Sequence, residues 1–286
     1  MKIKGDTVVM GIIGYPLKHS LSPIMHNVAF KALNLNYVYV PFPIKPDNLV
    51  QTIKFLPKLG IKGVNITIPY KEEILNFLDE ISEDALLIGA VNTVVIKEEK
   101  MYGYNTDGNG FYQSLIAAGF NPDGKKVLIA GAGGACRAVA FTLCKKGISD
   151  LNLAVRSFTK AEALANDLNS HFSTDIKVTY IDNLTEEEVS EADLIINTTP
   201  VGMYPQVNDL APLKVKFLHS NQFVCDLIYN PFETKLLQEA RKKGCRTLNG
   251  LGMLVYQGAE AFSYWTGQEA PIDLMSKAVL KSLLNN

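Results

Sequence analysis

The chain has 286 residues, of which 47% are hydrophobic, and its formal net charge is −1. This length exceeds that of a typical single domain, so we expect two domains with sizeable cores. The near-neutral charge, without a block of like charges, gives no support for nucleic-acid or polyanion binding. The N-terminal apolar stretch is too short and too interrupted by glycine for a signal peptide or a membrane helix. We therefore expect a soluble, cytoplasmic protein with no membrane partner.

The four cysteines, Cys136, Cys144, Cys225 and Cys245, do not form a CxxC pair, and no His/Cys spacing is typical of zinc. We expect reduced structural thiols and no metal site. Cys136 lies near a predicted helix N-terminus, which can lower the pKa of a thiol.

Predicted strands and helices alternate in the first part of the chain. Apolar runs predict strands at 8–13, 37–42 and 63–68, with helices at 22–33, at 49–59 and from Glu72 onward. This order indicates a mostly parallel sheet. Ser22 before Pro23 is interpreted as an N-cap followed by proline at the first helical position. Ser20 has no such role and lies in a strand-to-helix loop, where substrate groups are commonly bound.

Three polar residues, Asn65, Thr67 and Lys71, lie at or just beyond the end of the third strand. In open α/β sheets, ligands bind at this edge. Asn and Thr in an apolar strand need hydrogen-bond partners, and a lysine at a helix N-terminus is locally unfavourable. Such departures from local rules are typical of functional sites, although a lone lysine is more often a solvated charge.

The sequence GAVNT at 89–93 leads into a predicted hairpin with strands at 94–97 and 101–105, which we place at the sheet edge. Thr106 and Asp107 then open a helix that runs to about Ala118. As a lone residue, Asp107 is better explained as a helix N-cap.

The stretch VLIAGAGGACRAVA at 127–140 is an apolar run that ends in glycines and continues as a helix. This pattern is typical of a strand that turns onto a dinucleotide pyrophosphate. Gly131 permits the tight turn, Gly133 allows close backbone approach, and the helix N-terminus favours negative charge. The third fingerprint position holds Cys136, where Gly or Ala is usual.

A second strand, predicted at 150–155, ends in Arg156 and Ser157, with Lys160 one turn further. NAD-binding proteins place an acid there for the ribose 2′-hydroxyl. Cations and a hydroxyl suit the 2′-phosphate of NADP instead. The alternative is that Arg156 and Lys160 are ordinary solvated charges. Further strands at 176–180, 194–197, 223–227 and 247–249, with helices at 185–192 and 234–243, complete a six-stranded α/β unit; helices at 252–265 and 273–284 follow.

Taken together, the chain resembles the shikimate dehydrogenases over essentially its full length. The resemblance is carried by HSLSPIMHN at 19–27, NITIPYK at 65–71, GAVNT at 89–93, GYNTDGNG at 103–110, GAGGACRA at 131–138 and NGLGMLVYQGA at 249–259. It implies the reversible reduction of 3-dehydroshikimate to shikimate by NADPH. The family usually has Asn before the arginine, where this chain has Val155, which weakens the inferred adenosine contacts.

The resemblance also implies roles for particular residues. Lys71 and Asp107 would form the catalytic pair. The substrate would be bound by Ser20, Ser22, Thr67, Lys71, Asn92, Thr106, Asp107, Tyr229 and Gln257. NADP would be held by Gly131, Ala132, Gly133, Gly134, Ala135, Arg156, Ser157, Lys160, Thr199, Leu227 and Gly250.

The expected fold is α/β with two domains. An N-terminal α/β substrate domain with a mostly parallel sheet, residues 1–106, is completed by C-terminal helices at 251–286, and a Rossmann-type NADP-binding domain, residues 107–250, is inserted between them. Two alternatives stay open: a quinate/shikimate dehydrogenase that uses NAD, and a non-catalytic nucleotide-binding regulator, which would be expected to lack Lys71 or Asp107. The sequence leaves open whether the protein is a homodimer.

Overall fold

The computed structural model describes residues 3–285, which divide into two compact units. The first unit contains the residues up to Gly110 and those from Val255 onward, and the second is Phe111–Leu254. Within the described residues, no helix is both long enough and apolar enough to cross a membrane.

The first unit contains a six-stranded sheet. Its elements before the first junction are β1 (Val8–Gly14), α1 (Ser22–Ala32), β2 (Tyr37–Pro43), α2 (Leu49–Phe55), β3 (Gly63–Ile66), β4 (Glu80–Ile81), α3 (Glu83–Ile88), β5 (Thr93–Lys97) and β6 (Lys100–Tyr104), and α4 (Asp107–Ala117) follows. The strand order is β2-β1-β3-β5-β6-β4. β1 is parallel to both its neighbours, whereas β5 is antiparallel to β3 and β6.

The structure corrects three details of the sequence analysis. The hairpin β5–β6 is not at the sheet edge, because the two-residue strand β4 pairs with β6 and covers it. The helix expected from Glu72 is a 3₁₀ segment, Glu73–Phe77. The helix expected at 49–59 ends at Phe55, because Pro57 begins a separate 3₁₀ turn.

The hairpin β5–β6 closes in a two-residue turn. Glu98 and Glu99 have φ of 51° and 62°, in the left-handed region that suits a tight hairpin turn. Lys97 pairs with Lys100 beside the turn, and Thr93 pairs with Tyr104 at the other end. The residues just before β5 and just after β6 are thereby brought next to each other.

The second unit contains six parallel strands. Its elements are β7 (Lys126–Ala130), α5 (Gly134–Lys145), β8 (Asp150–Val155), α6 (Phe158–Asn169), β9 (Asp175–Tyr180), α7 (Glu186–Ser190), β10 (Leu194–Asn197), β11 (Phe223–Asp226), α8 (Lys235–Lys242) and β12 (Arg246–Leu248). The order β12-β11-β10-β7-β8-β9 reverses direction between β7 and β10. Dinucleotides bind at such a switch point, outside the carboxyl ends of the strands.

Two further helices, α9 (Leu251–Thr266) and α10 (Ile272–Leu284), end the chain. In the first unit, α10 packs on α1, and Trp265 of α9 donates to the Val94 carbonyl at 3.0 Å. Both junctions between the units fall inside helices, α4 and α9, shortly after the boundaries expected from the sequence.

His26 of α1 lies in the core of the first unit with no exposed surface. Its ring stacks on Tyr39, with centroids 4.4 Å apart, and lies 5.2 Å from the ring of Trp265. Neither ring nitrogen has a hydrogen-bond partner among residues 3–285. Burial without a partner lowers the pKa of His26 from 6.5 to about 3, so the ring is neutral in the folded protein.

Folding is therefore expected to depend on pH through His26. The unfolded chain protonates this residue near pH 6.5 and the folded chain only near pH 3. The resulting contribution to the free energy of unfolding is fully present above pH 6.5. It falls by up to about 1.4 kcal/mol per pH unit below that pH. Urea unfolding, followed by the fluorescence of Trp265, the only tryptophan, should show this loss in the wild type relative to His26→Leu.

The comparison with His26→Leu is needed because Asp226 changes the free energy of unfolding in the opposite direction as pH falls. Burial raises the pKa of Asp226 to about 6, so its protonation stabilises the folded chain as pH falls. This contribution is common to wild type and variant and cancels in their difference. A difference in unfolding free energy that stays constant from pH 7 to pH 4 would contradict a neutral, buried His26.

Candidate active site

Lys71 and Asp107 form an ion pair in the first unit. Lys71 Nζ lies 2.6 Å from Asp107 Oδ2, and the two side chains are 23% and 9% exposed. Lys71 follows β3 through a tight turn, in which the Tyr70 N–H donates to the Thr67 carbonyl at 3.0 Å. The backbone carbonyl of Lys71 accepts a hydrogen bond from the Val91 N–H. Asp107 is the first residue of α4. The pair therefore combines a buried carboxylate with an ammonium group that remains partly accessible.

Asn92 joins the elements that carry this pair. Its Nδ2 donates to Asp107 Oδ1 and to Thr106 Oγ1, both at 2.9 Å, and approaches Gln257 Oε1 at 3.4 Å. Its Oδ1 accepts from the backbone N–H of Thr106 at 2.9 Å. Because Asn92 precedes β5 and Thr106 follows β6, the hairpin register places them side by side. Five of the proposed substrate residues are thus in one hydrogen-bonded group: Lys71, Asn92, Thr106, Asp107 and Gln257.

Gln257 reaches this group because α4 and α9 approach closely at Gly110. A Cβ added at Gly110 would lie 2.6 Å from the backbone nitrogen of Gln257 and 2.7 Å from its Cβ. No side chain fits in that space. Gly110 therefore fixes the distance between Asp107, one turn earlier on α4, and Gln257.

Gly110→Ala is expected to lower kcat/KM at least about tenfold, since it forces the two helices apart and displaces Gln257 and Asp107 from each other. Overpacking of this kind costs about 1–3 kcal/mol, offset in part by the better helix propensity of alanine. Activity assays and thermal unfolding check the expectation. Gly5→Ala is the matched control, because nothing lies within 4 Å of its new methyl group. Wild-type kcat/KM in Gly110→Ala would mean that the close approach of α4 and α9 is not required for activity.

The remaining substrate residues of the first unit lie at the carboxyl ends of β1 and β3. Ser20 is in the loop after β1, and Thr67 directly follows β3. Ser22 is not the N-cap of α1, as expected from the sequence; it is the first helical residue, and Leu21 occupies the cap position without a side-chain hydrogen bond. The Ser22 side chain is buried.

The glycine turn of the second unit lies between β7 and α5. Gly131 has φ of 117°, and a Cβ there would lie 2.4 Å from Thr198 Oγ1, so only glycine fits. Gly133 occupies the N-cap position of α5, and a Cβ at Gly133 or Gly134 would meet open space. The first turn of α5 contains no acidic residue. The accessible N–H groups of this helix start can therefore receive an anion.

Cys136 supports this turn and is not activated by it. Its Sγ lies 3.0 Å from the Gly131 carbonyl, and burial raises its pKa to about 12, the opposite of the effect expected from a helix N-terminus. Desolvation disfavours the thiolate more strongly than the helix favours it. The other three cysteines are also buried, and burial raises the pKa of each.

Arg156, Ser157 and Lys160 are exposed at the start of α6, directly after β8. Ala130 pairs with Ala154 in the β7–β8 ladder, so Arg156 and the glycine turn lie at the ends of neighbouring strands. No carboxylate occupies the position after β8. Val155, which stands where the family usually has Asn, is buried.

The other proposed cofactor residues lie along the same edge of this sheet. Thr199 follows β10, where its hydroxyl donates to Asn197 Oδ1 at 2.7 Å. Leu227 follows β11, and Gly250, beyond β12, is so close to the Leu227 carbonyl that a Cβ would lie 1.9 Å from it. Tyr229 lies just beyond Leu227 in this second unit, and burial raises its pKa.

The sequence analysis noted Asn65 but gave it no partner, and it assigned no role to Thr93. Both are buried and hydrogen-bonded to each other, with Asn65 Nδ2 3.1 Å from Thr93 Oγ1. The available signal was a pair of polar residues in strands that are otherwise apolar.

A parallel sheet with a glycine turn at its switch point, in a chain that also holds a lysine–carboxylate pair, defines a dinucleotide-dependent oxidoreductase. Comparison with known proteins narrows this class. Residues 12–94 match the shikimate dehydrogenase substrate-binding domain, residues 115–204 match the shikimate/quinate 5-dehydrogenase profile, and residues 250–280 match the shikimate 5′-dehydrogenase C-terminal domain. The chain belongs to the shikimate dehydrogenase family.

Individual relatives are similar over the whole chain. The NADP(+) shikimate dehydrogenase of Methanocaldococcus jannaschii is 48% identical over 98% of this chain and 99% of its own length. A crystal structure of a shikimate dehydrogenase in complex with NADP+ has 47% identity and a TM-score of 0.93, covering 99% and 98% of the two chains. The Listeria monocytogenes shikimate 5-dehydrogenase, solved with shikimate and NAD, has 36% identity and a TM-score of 0.92, covering 97% and 98%.

Proposed function

We propose that this chain is an NADP-dependent shikimate dehydrogenase, which reduces 3-dehydroshikimate to shikimate reversibly in the pathway to chorismate and the aromatic amino acids. The observation that carries the proposal is the Lys71–Asp107 ion pair, held by Asn92 in a chain 48% identical to an NADP(+) shikimate dehydrogenase. A regulator without catalytic activity would have no need of this pair.

Lys71 is the proton donor of the proposed reaction. When bound, NADPH supplies the hydride, and negative charge develops on the oxygen of the substrate carbonyl. The Lys71 ammonium has three N–H donors; one is directed at Asp107, and the side chain is partly exposed, so another can face the substrate oxygen. It stabilises the developing charge and then transfers a proton from Nζ. In the reverse direction, neutral Lys71 accepts the proton of the hydroxyl group.

Asp107 and Asn92 orient Lys71. One carboxylate oxygen of Asp107 accepts from Lys71 and the other from Asn92, so the carboxylate cannot rotate freely. A charge-assisted hydrogen bond of this kind is roughly twice as strong as a neutral one. The ammonium group is therefore held in place before the substrate arrives, which is where positioning contributes most to the rate.

The other substrate contacts are part of the same proposal. Ser20 and Ser22 would bind the carboxylate of the substrate, and Thr67, Asn92, Asp107 and Gln257 its ring hydroxyls. Thr106 and Tyr229 would line the site. The residues that the structure groups around Asp107 are compatible with these roles, because their hydroxyl and amide groups both donate and accept hydrogen bonds.

The residues of the second unit fit NADP. The open space beside Gly133 and Gly134 and the acid-free first turn of α5 suit the pyrophosphate, which the glycine turn of residues 131–135 would hold. Arg156, Ser157 and Lys160 offer two cations and a hydroxyl to the 2′-phosphate. Thr199, Leu227 and Gly250 would complete the site along the same sheet edge.

The second candidate function is quinate/shikimate dehydrogenase activity with NAD. It is favoured by the breadth of the matched family profile, which covers both substrates, and by the Listeria relative solved with NAD. Arg156, in the place where an NAD enzyme carries an acid, favours the first function.

Turnover of shikimate and of quinate, each with NADP and with NAD, tests the proposal by absorbance of the reduced nicotinamide. The highest kcat/KM is expected for shikimate with NADP. Absence of shikimate oxidation with either cofactor would refute the proposed function, and a preference for quinate with NAD would establish the second candidate.

Three wider expectations stay predictions. Residues 1–106 with 251–286 are proposed to form the domain that carries most of the substrate residues, and residues 107–250 the domain that carries the NADP residues, which limited proteolysis with and without NADP would probe. Cytoplasmic location can be checked by fractionation of cells. Light scattering can decide between a monomer and a homodimer.

A further inference from the structure

Thr93, the first residue of β5, lies directly behind Asn92 and has no exposed surface. Its hydroxyl lies between two side-chain amides. It is 3.1 Å from Asn65 Nδ2, which can only donate, and 3.0 Å from Asn92 Oδ1, which can only accept. A hydroxyl has one proton, and Thr93 accepts a hydrogen bond from Asn65. Of the two remaining neighbours, Asn92 Oδ1 at 3.0 Å is nearer than Thr106 Oγ1 at 3.4 Å, so the proton is directed at Asn92.

The series of hydrogen bonds continues on both sides of Thr93 in the same sense. On one side, Tyr39 Oη donates to Asn65 Oδ1 at 2.6 Å. On the other, Asn92 Nδ2 donates to Asp107 Oδ1 at 2.9 Å. Tyr39, Asn65, Thr93, Asn92 and Asp107 therefore form a continuous series, here called the Tyr39–Asp107 chain. Every donor in it is directed toward the Asp107 carboxylate, and buried hydrogen bonds in such a series polarise one another.

The Tyr39–Asp107 chain of hydrogen bonds controls the orientation of the Asn92 amide. Thr93 O–H and the backbone N–H of Thr106 both direct a proton at Oδ1, at 3.0 Å and 2.9 Å. Turned by 180°, the amide would place Oδ1 against the carboxylate of Asp107, where two acceptors repel. It would also place Nδ2 against the Thr106 N–H, where two donors repel. Only one orientation lets Asn92 hold Asp107.

We propose that Thr93 is a positioning residue for the dehydrogenase reaction, acting through Asn92 on Asp107 and Lys71. The inference rests on the proposed function. Because Thr93 is fully buried, its hydroxyl acts on neighbouring side chains and not on the substrate. Tyr39, which is itself buried, supports Thr93 from the far end of the Tyr39–Asp107 chain through Asn65.

Two substitutions at Thr93 separate its hydroxyl from its methyl group. Thr93→Val keeps the shape and removes the hydroxyl, whereas Thr93→Ser keeps the hydroxyl and removes the methyl. We expect kcat for shikimate oxidation with NADP to fall at least about tenfold in Thr93→Val and to stay within about threefold in Thr93→Ser. KM for NADP should not change in either variant. A role in packing alone predicts the reverse order, because only serine leaves a cavity.

Tyr39→Phe interrupts the same chain at its far end and provides a test that does not depend on the folding of Thr93→Val. We expect kcat to fall at least about threefold in this variant. The double variant, Tyr39→Phe with Thr93→Val, should lose no more kcat than Thr93→Val alone, because the Tyr39–Asp107 chain is already interrupted at Thr93. If the two residues acted independently, their fold-losses in kcat would multiply.

The inference is overturned if Thr93→Val or Tyr39→Phe keeps the wild-type kcat, if Thr93→Ser loses as much as Thr93→Val, or if the losses multiply. Thermal unfolding and circular dichroism accompany each variant. Wild-type turnover is measured in the same series, so failure of the proposed function appears in the wild type and failure of this inference only in the variants.

Discussion

Replacing Lys71 by Ala is expected to lower kcat by about 10²–10⁴-fold, the usual contribution of one acid–base group. The side chain donates to Asp107 at 2.6 Å, and we assign to it the proton that the substrate oxygen gains. KM for shikimate should change far less, because the interaction is strongest in the transition state. Steady-state kinetics in both directions, at saturating NADP or NADPH, provide the measurement.

Lys71→Arg distinguishes a role of Lys71 in proton transfer from a role in supplying positive charge alone. Arginine keeps the positive charge beside Asp107 but does not release a proton at accessible pH. If Lys71 transfers a proton, Lys71→Arg should be nearly as impaired as Lys71→Ala; if it supplies charge alone, the arginine variant should recover much of the loss. A Lys71→Ala variant with near wild-type kcat would remove this residue from the mechanism.

Arg156→Asp is expected to reverse the cofactor preference. A hydrogen bond to a charged group contributes about 1.5–3 kcal/mol, or roughly 10–100-fold in affinity. Arg156 and Lys160 together should therefore favour NADP over NAD by about two orders of magnitude. An aspartate repels the 2′-phosphate and offers the 2′-hydroxyl of NAD an acceptor. NADP use should collapse in the variant, while NAD use is kept or improved.

The measurement is kcat/KM for both cofactors at low and high salt. The wild-type preference should weaken as salt rises, because Arg156 and Lys160 are exposed and their attraction to a phosphate is screened. Lys216→Asp, a charge reversal at another exposed lysine of the second unit, is the control and should leave the preference unchanged. Equal use of NAD and NADP by the wild type would mean that Arg156 does not read the 2′-phosphate.

Local sequence patterns were sufficient to predict most of the fold. The strands β7, β8, β10 and β11 are short, mainly apolar runs, and most residues of each are buried. Gly131, Gly133 and Gly134 predicted the turn between β7 and α5, because the geometry of such a turn depends on residues that are neighbours in the sequence. The family resemblance, carried by six separate motifs, is confirmed by relatives similar over the full length.

What escaped prediction depends on contacts between distant residues or on competing local effects. β4 has two residues and no pattern of its own; it exists because β6 offers an edge. The pKa of Cys136 followed burial rather than the nearby helix N-terminus, and sequence position does not reveal which effect is larger. The partners of Asn65 and Thr93 lie in other strands, so a need for partners was visible but their identity was not.

The hairpin β5–β6 has a consequence for how this part of the chain can vary in length. Asn92 and Asp107 are 15 residues apart and meet only because the strands between them are matched, residue for residue, from Thr93–Tyr104 to Lys97–Lys100. A register slip of one residue would turn every side chain of a strand to the other face of the sheet. We therefore expect this chain to tolerate insertions or deletions in the proposed active site only where they leave this pairing intact, at the exposed turn around Glu98 and Glu99. We expect the turn to accept changes in residues and length, whereas a change in strand length would move Asn92 away from Asp107.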